Sequence, residues 1–422
     1  MLQKIKNNPF VLNSVILFGG TMLANILNYI FHLAVGRMVS VEIYGEIESL
    51  VSLINIISVP AMTLTFIATR YASHSKANQN PQESYLLFQY LNKKVFKFGT
   101  PLFILALLFT PFIARFMNID SLLPFYFIWI MMFFSFFSAV VTGLINGWQK
   151  FKRASLIGII GTASKLFFAI ILIKIGFALN GAIGSFLLGA LASYIAALLS
   201  LKFIFKFKND SKESQETIIN FSSIKKYALP TFFGALAINI LGNVDMILAK
   251  HNLDDLSAGH YGALTIVSKI IFFATGVIAT VLFSMASEES HKKINSQKTF
   301  RLATFVIFLV SGTATLIYYL FPKLVLFLLF GNKYFAVSHF LVWFAILVSL
   351  YSFVNLITQY LLSIQKTKPM YGLLAISLIM ALALLFLGKN IYDILKIGIL
   401  FQILAIIWGM FFVIKKDQEK NV

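Results

Sequence analysis

The stretch PFYFIWIMMFFSFFSAVVTGLING, residues 124–147, runs for 24 residues without a charged side chain. The hydrocarbon core of a bilayer is ~30 Å thick and takes about 20 residues of helix to cross, so this stretch is long enough to span it. Phe98–Met117, Ala154–Gly176 and Ile394–Ile414 also meet that length, with few charges. In all there are about a dozen, near residues 10–36, 46–72, 98–117, 124–147, 154–176, 182–206, 230–250, 259–286, 299–322, 336–363, 370–388 and 394–414. Only 12% of the 422 residues are charged, against ~25% in soluble domains. The chain reads as an all-α polytopic membrane protein with about 12 transmembrane helices.

The first span follows Lys4 and Lys6, as the apolar core of a signal peptide would. It is longer than such a core and lacks an A-x-A-like cleavage site, so it reads as a membrane helix. A net charge of +19 would point to nucleic acid in a soluble protein. With the N-terminus in the cytoplasm, however, inner segments hold 25 of the Lys and Arg residues and outer segments 8, with Lys165 and Lys269 inside spans. This positive-inside bias predicts a multi-pass protein of the cell membrane with both termini cytoplasmic, with no role for nucleic acid. Inner loops of this charge can also rest on anionic membrane lipids. The absence of cysteine rules out disulfides, thiolate metal sites and a cysteine nucleophile. No cofactor or metal is expected.

Outer loops are short, the longest being roughly a dozen residues around Lys323–Phe335. Two inner loops are longer. Within Ser73–Lys97, the stretch Tyr85–Phe98 interleaves apolar and basic residues, which predicts a helix lying along the inner leaflet. The other, 207–226, opens on a polar run and divides the chain: an N-terminal six-helix bundle over 1–206, a cytoplasmic linker with an interfacial segment over 207–226, and a C-terminal six-helix bundle over 227–422.

The two halves show a repeat. Tyr44-Gly45 recurs as Tyr261-Gly262, 217 residues later. The same offset relates Asn28 to Asp245, Ser52 to Lys269, and the set Ser135, Ser138, Thr142, Asn146 to Ser352, Asn355, Gln359, Ser363. Gln149-Lys150 and Gln365-Lys366 differ by 216. Six spans are an even number, so both halves enter the membrane from the same side. The expected fold is therefore two six-helix bundles related by a parallel internal repeat, an arrangement that transporters use to open one central site alternately to each face.

Polar side chains in a span are costly and usually face protein or a water-filled cavity. Thr21, Asn25, Asn28 and His32 form one stripe on the first span, and Glu48, Ser52 and Asn55 one on the second. Thr265, Lys269, Gly276 and Thr280 lie on one side of the eighth. Ser, Thr and Asn also cement helix packing at ~0.6 kcal/mol per contact, but stripes at matched positions in both halves favour a shared aqueous cavity. Lys269 and Lys165 lie too deep to snorkel to a helix end, so each either faces the cavity or pairs with a buried carboxylate. Glu48 and Asp245 read equally as salt-bridge partners and as protonatable ion-coupling sites. His32 reads as a packing histidine, and Arg37, Glu42 and Glu46 as rim charges.

No G-x-x-x-x-G-K-[ST], H-E-x-x-H or G-x-S-x-G motif occurs. The outer loops are too short to build an extramembrane catalytic site, so an enzyme is not expected. Energy must come from an ion gradient, the membrane potential or the substrate gradient.

Three stretches resemble a known family. Gly36-Arg37-Met-Val-Ser-Val-Glu-Ile-Tyr44-Gly45 is similar to a G-R-x-L-x-x-x-x-Y-G turn, with Val39 for the Leu. Gly143-Leu-Ile-Asn-Gly-Trp-Gln-Lys-Phe151 is similar to a G-x-x-x-G-x-x-x-F segment, and Tyr227-Ala-Leu-Pro230 followed by Asp245 to a Y-x-L-P…D pattern. Together they resemble the polysaccharide biosynthesis, or oligosaccharide flippase, family of the multidrug/oligosaccharidyl-lipid/polysaccharide exporter superfamily. The resemblance implies movement of a polyprenyl-pyrophosphate-linked oligosaccharide to the outer leaflet by alternating access. Glycan polymerase or glycosyltransferases of the same pathway would then be partners. A pyrophosphate needs cations, for which Lys269, Lys165 and, at the inner mouth, Arg70 are the candidates. Sugar hydroxyls need neutral partners such as Asn28, Asn355 and Gln359. The competing expectation is a cation-coupled multidrug or metabolite exporter of the same superfamily, using Glu48 or Asp245; a membrane enzyme joining glycans is a third.

Overall fold

In hydrocarbon every backbone N–H and C=O must be satisfied within its own segment, which helices achieve. The structure, a computed structural model, describes residues 9–205, 221–291 and 296–420, and those residues form fifteen α-helices and no strand. In chain order the helices are α1 (Pro9–Met38), α2 (Val41–Ile57), α3 (Val59–Ala77), α4 (Pro81–Phe116), α5 (Leu123–Gly147), α6 (Phe151–Lys174), α7 (Ala178–Ser200) and α8 (Lys202–Phe205). Then follow α9 (Phe221–Asn252), α10 (Asp255–His291), α11 (Gln297–Leu320), α12 (Pro322–Phe330), α13 (Leu341–Ser363), α14 (Pro369–Leu387) and α15 (Ile391–Lys420). Among the described residues, twelve stretches are long and apolar enough to cross a membrane, as the hydropathy pattern predicts.

Three features differ from the sequence reading. The second span is two helices, α2 and α3, parted at Ser58 just before Pro60, a residue that cannot donate a helical hydrogen bond. The segment 85–98 is not a separate interfacial helix. It is part of α4, one unbroken helix of 36 residues, about 54 Å long at ~1.5 Å per residue. Its Leu87, Leu91 and Val95 are buried in a core with Ala72, Leu144 and Ile204. The stretch around Lys323–Phe335 is also ordered, as α12 followed by a 3-10 helix over Gly331–Phe340. Gly331 has φ +77°, where glycine is favoured, and Tyr334 is fully buried with its ring 5.3 Å from Phe330. Of the linker expected over 207–226, residues 207–220 lie outside the described residues, and 221–226 begin α9.

Contacts divide the chain into two compact units: Met1–Val39 with Ile57–Lys225, and Ser40–Ile56 with Lys226–Val422. In the first unit, α6 packs on α7 and α1, and α5 on α3, α7 and α4. Gly143 and Gly147 bring α5 onto α3, where a Cβ at Gly147 would lie 2.7 Å from the Thr69 carbonyl oxygen, the close approach small residues allow. In the second unit, α10 packs on α13 and α11, and α15 on α13 and α14. The segment 40–56 belongs to this unit by contact. A Cβ at Gly45 would lie 2.6 Å from the Gly259 nitrogen, so glycine at both positions lets the two backbones meet.

The repeat shows in the interiors. Val140, Leu144 and Ile145 are buried in the first unit, and Ile357, Leu361 and Leu362, each 217 positions on, in the second. Gln149 and Gln365 both adopt positive φ, 55° and 60°. Each ends its helix the same way: Lys150 N–H donates to the Ile145 carbonyl at 3.1 Å, and Lys366 N–H to the Leu361 carbonyl at 2.9 Å.

Candidate functional site

In the second unit the candidates sit where α2, α9 and α10 come together. Asn239 and Asn243 lie one turn apart on α9, and the Asn243 amide N–H donates to the Asn239 carbonyl at 2.9 Å. That commits the amide nitrogen and leaves Oδ1 outward as an acceptor. Lys269 Nζ donates to it at 3.1 Å and Asn55 Nδ2 at 3.0 Å. Lys269 is half-buried, and among the described residues no carboxylate comes within ion-pair distance of it. Asp245 and Glu48 are the carboxylates whose charges reach its ammonium.

Both carboxylates are buried, Asp245 8% exposed and Glu48 3%. The hydroxyl of Tyr261 donates to Asp245 Oδ2 at 2.7 Å, and Asp245 Oδ1 has no hydrogen-bond partner among the described residues. A buried acceptor left unmet costs free energy, and a proton or a cation would relieve that cost. Glu48 packs on α10 where Gly262 leaves room, its Cβ 3.2 Å from where a Cβ at 262 would stand.

A third ionic group lies a few turns away. Lys250 is fully buried and pairs with Asp255, and with Glu46 at 3.9 Å. The sequence reading takes Lys250 as one of the outer-segment charges and Glu46 as a rim charge; the structure joins them.

In the first unit, Lys165 of α6 is 7% exposed and donates to Asn28 Oδ1 on α1. Its ammonium lies between two aromatic faces, 4.3 Å from the ring centres of Phe31 and of Phe186. A desolvated cation over an aromatic face gains roughly 2 kcal/mol, so the cage offsets part of the cost of burying this charge. Gly189 makes room for it, since a Cβ there would lie 2.9 Å from the Lys165 Cβ. His32 is buried with its ring edge-on to Phe31, 5.2 Å away.

The polar stripe of α5 opens onto a cleft of about 330 Å³ in the same unit. Ser135, Ser138 and Thr142 line it together with Ser58, Thr65 and Ser193, beside Phe134 and Met62. A patch of hydroxyls beside an aromatic ring can hydrogen-bond and stack with a polar ring.

The structure thus brings together Asn28 with Lys165 in one unit, and Lys269 with Asp245 and Glu48 in the other. Asn355, buried, and Gln359, half-buried, share a face of α13 with Ser352, which receives a hydrogen bond from Thr275 of α10 at 2.9 Å. Arg70 is exposed on α3. Sequence reasoning missed Asn243, Tyr261, Lys250, Phe31 and Phe186. The spacing Asn239…Asn243, one helical turn, was the signal available for the first. Among the described residues, no group of His, Asp and Glu is placed to hold a metal ion.

A family model described as polysaccharide biosynthesis protein matches residues 10–289, 280 of the 422 residues. The chain belongs to the polysaccharide biosynthesis protein family. No curated protein sequence matches it significantly. Among solved structures, this family member is similar to a multidrug resistance MATE transporter of the MOP superfamily in an inward-facing conformation, with a TM-score of 0.77 and 13% identity over 96% of this chain and 99% of that one. It is also similar to the lipid II flippase MurJ in an inward closed conformation, with a TM-score of 0.70 and 16% identity over 94% of this chain and 87% of that one. An outward-facing MATE transporter gives 0.64 at 14% identity, covering 96% of both chains. At these identities the likeness is one of fold. The polysaccharide biosynthesis family member is a multi-pass membrane protein built on the MATE and MurJ fold.

Proposed function

We propose that this protein is a flippase that moves a polyprenyl-pyrophosphate-linked oligosaccharide from the cytoplasmic to the outer leaflet of the cell membrane by alternating access, with both termini cytoplasmic. The observation that carries the reading is the Lys269 ammonium. It is half-buried in a membrane-spanning helix and held by the neutral oxygen of Asn243 rather than by a carboxylate at ion-pair distance. An intramembrane cation so placed is a ready partner for a phosphate oxygen, because charge-assisted hydrogen bonds to phosphate are strong where water is scarce. Lys165, held by Asn28 between Phe31 and Phe186, is the buried cation of the first unit and a second candidate for a phosphate oxygen, and Arg70, exposed on α3, is the candidate for first capture of the headgroup. The hydroxyl-lined cleft, Asn28, Asn355 and Gln359 suit sugar hydroxyls, which need neutral donors and acceptors. Membership of the polysaccharide biosynthesis family supports a glycan over other anionic cargo.

A second reading rests on Asp245. Its buried Oδ1, unmet among the described residues, favours a carboxylate that binds a proton or cation and drives transport. With Glu48 it forms the coupling pair in either reading, and in a cation-coupled multidrug or metabolite exporter it would also select the cargo.

The test is equilibrium binding to the purified protein in detergent. A polyprenyl-pyrophosphate-linked oligosaccharide binds the native protein, and Lys269→Ala weakens it at least tenfold, the loss of one charge-assisted contact. Failure to bind this lipid, together with export of an organic cation that Asp245→Asn abolishes, would replace the flippase reading with the exporter.

A further inference from the structure

The first unit carries a cluster of cations that the transport reading does not use. Lys150 stands in the turn between α5 and α6, Arg153 in the first turn of α6, and Lys76 near the end of α3. Lys150 Nζ lies 4.6 Å, and the Arg153 guanidinium carbon 5.6 Å, from the centre of the Phe203 ring. Lys76 donates to the Gln149 side-chain oxygen beside Lys150. Arg153 Nη1 donates to the Ser200 carbonyl at 2.6 Å, and its other donors have no hydrogen-bond partner among the described residues.

Among the described residues, no carboxylate comes within ion-pair distance of any of the three, and the Lys150 ammonium has no hydrogen-bond acceptor. Lys150 is nonetheless half-buried. Burial, and then the charges of Arg153 and Lys76, push its pKa down from the ordinary lysine value. Like charges gathered in this way repel one another at a cost that an anion would reverse.

The repeat supplies an internal comparison. In the second unit the Lys150 counterpart, Lys366, gives its ammonium to the Phe412 carbonyl at 3.1 Å, and Pro369 stands where Arg153 does in the first. The unmatched cluster is thus a property of the first unit and not of helix turns of this type. The charge bias of the loops assigns this end of the unit to the cytoplasmic leaflet, at the depth of lipid headgroups.

We propose that Lys76, Lys150 and Arg153, floored by the Phe203 ring, form a binding site for the phosphate group of a lipid in the cytoplasmic leaflet. Two lipids carry that chemistry there, an anionic phospholipid and a polyprenyl phosphate. The guanidinium supplies paired donors to two phosphate oxygens, and the two ammonium groups supply charge. The site does not depend on which cargo the protein transports.

The experiment is native mass spectrometry of the full chain in detergent, with phosphatidylglycerol, undecaprenyl phosphate or phosphatidylcholine added, and inorganic pyrophosphate as a soluble competitor. The native protein retains phosphatidylglycerol, undecaprenyl phosphate or both over phosphatidylcholine. The preferred lipid identifies the source. Lys150→Gln with Arg153→Gln lowers that retention about tenfold, while the charge-matched pair Lys93→Gln with Lys97→Gln, exposed on α4, leaves it within twofold. Lys150→Gln alone removes an ammonium that makes no hydrogen bond to the described protein, so the fold is kept, and a threefold loss is expected. Equal losses from both double variants would reduce the effect to general surface charge and overturn the proposal. Binding of pyrophosphate with neither lipid retained over phosphatidylcholine would overturn it as well.

Discussion

Lys269 and Asn55, from helices more than two hundred residues apart in sequence, donate to the same atom, Asn243 Oδ1, at 3.1 and 3.0 Å. One neutral oxygen thereby holds the ammonium in place without cancelling its charge. Asn243→Asp keeps the shape and supplies a carboxylate that pairs with Lys269. Binding of a pyrophosphate-linked lipid should fall about tenfold or more, read by equilibrium binding in detergent. Unchanged affinity would mean that the Lys269 charge does not meet the cargo.

The buried ion network at Lys250 makes an asymmetric prediction. Lys250 is fully buried, while the Glu46 and Asp255 side chains are 22% and 59% exposed. Removing both acids, by Glu46→Gln with Asp255→Asn, strands a buried ammonium, which costs about 3–5 kcal/mol. Lys250→Met fills the same space and leaves two carboxylates that water can reach. The double variant should therefore melt well below Lys250→Met in a thermal unfolding series. The reverse order would show that water already reaches the Lys250 ammonium.

Glycines at two positions should behave oppositely. A Cβ at Gly45 meets the Gly259 backbone at 2.6 Å, whereas one at Gly158 meets nothing within 4 Å. Gly45→Ala should cost about 1–3 kcal/mol through overpacking. Gly158→Ala on α6 should be neutral or slightly stabilising, since alanine is the better helix former. Thermal melts of the two variants decide it, and equal melting temperatures would contradict the packing of 40–56 described here.

Asp254 caps α10, accepting the Ser257 N–H at 3.0 Å. Hydrogen bonds from the Ser257 hydroxyl and N–H hold its carboxyl below the ordinary value of 3.8. A lowered folded-state pKa favours the ionised form in the native protein. The cap's ionic contribution is therefore full above about pH 4 and fades as the pH falls through the lowered value. Asp254→Ala should cost about 1 kcal/mol at neutral pH, and the difference from the native protein should shrink in acid. A difference independent of pH would mean that the charge plays no part in the cap.

Much of this was legible in the sequence. Helix number follows from hydropathy alone, because a bilayer demands length and apolarity of each segment by itself. The repeat could be read from Tyr44 and Tyr261 and from Gln149 and Gln365, whose backbones share the same rare conformation. Lys165 and Lys269 stood out because charge is rare inside spans. Their surroundings did not. Phe31 and Phe186 look like any lipid-facing phenylalanine until α1 and α7 bring them to Lys165. Lys250 counted only as an outer-segment charge and Glu46 as a rim charge, because the two partners lie about two hundred residues apart in sequence. The grouping of 40–56 with the second unit depends on backbone contact through Gly45 and Gly259, which hydropathy does not record.

Translocation itself tests whether Lys269 carries the cargo. Purified protein in proteoliposomes, loaded with a polyprenyl-pyrophosphate-linked oligosaccharide in one leaflet, is followed by lectin access to the other. The native protein should expose the glycan, and Lys269→Ala should slow it at least tenfold while the variant melts as the native protein does. Equal translocation by the native protein and Lys269→Ala would contradict the account.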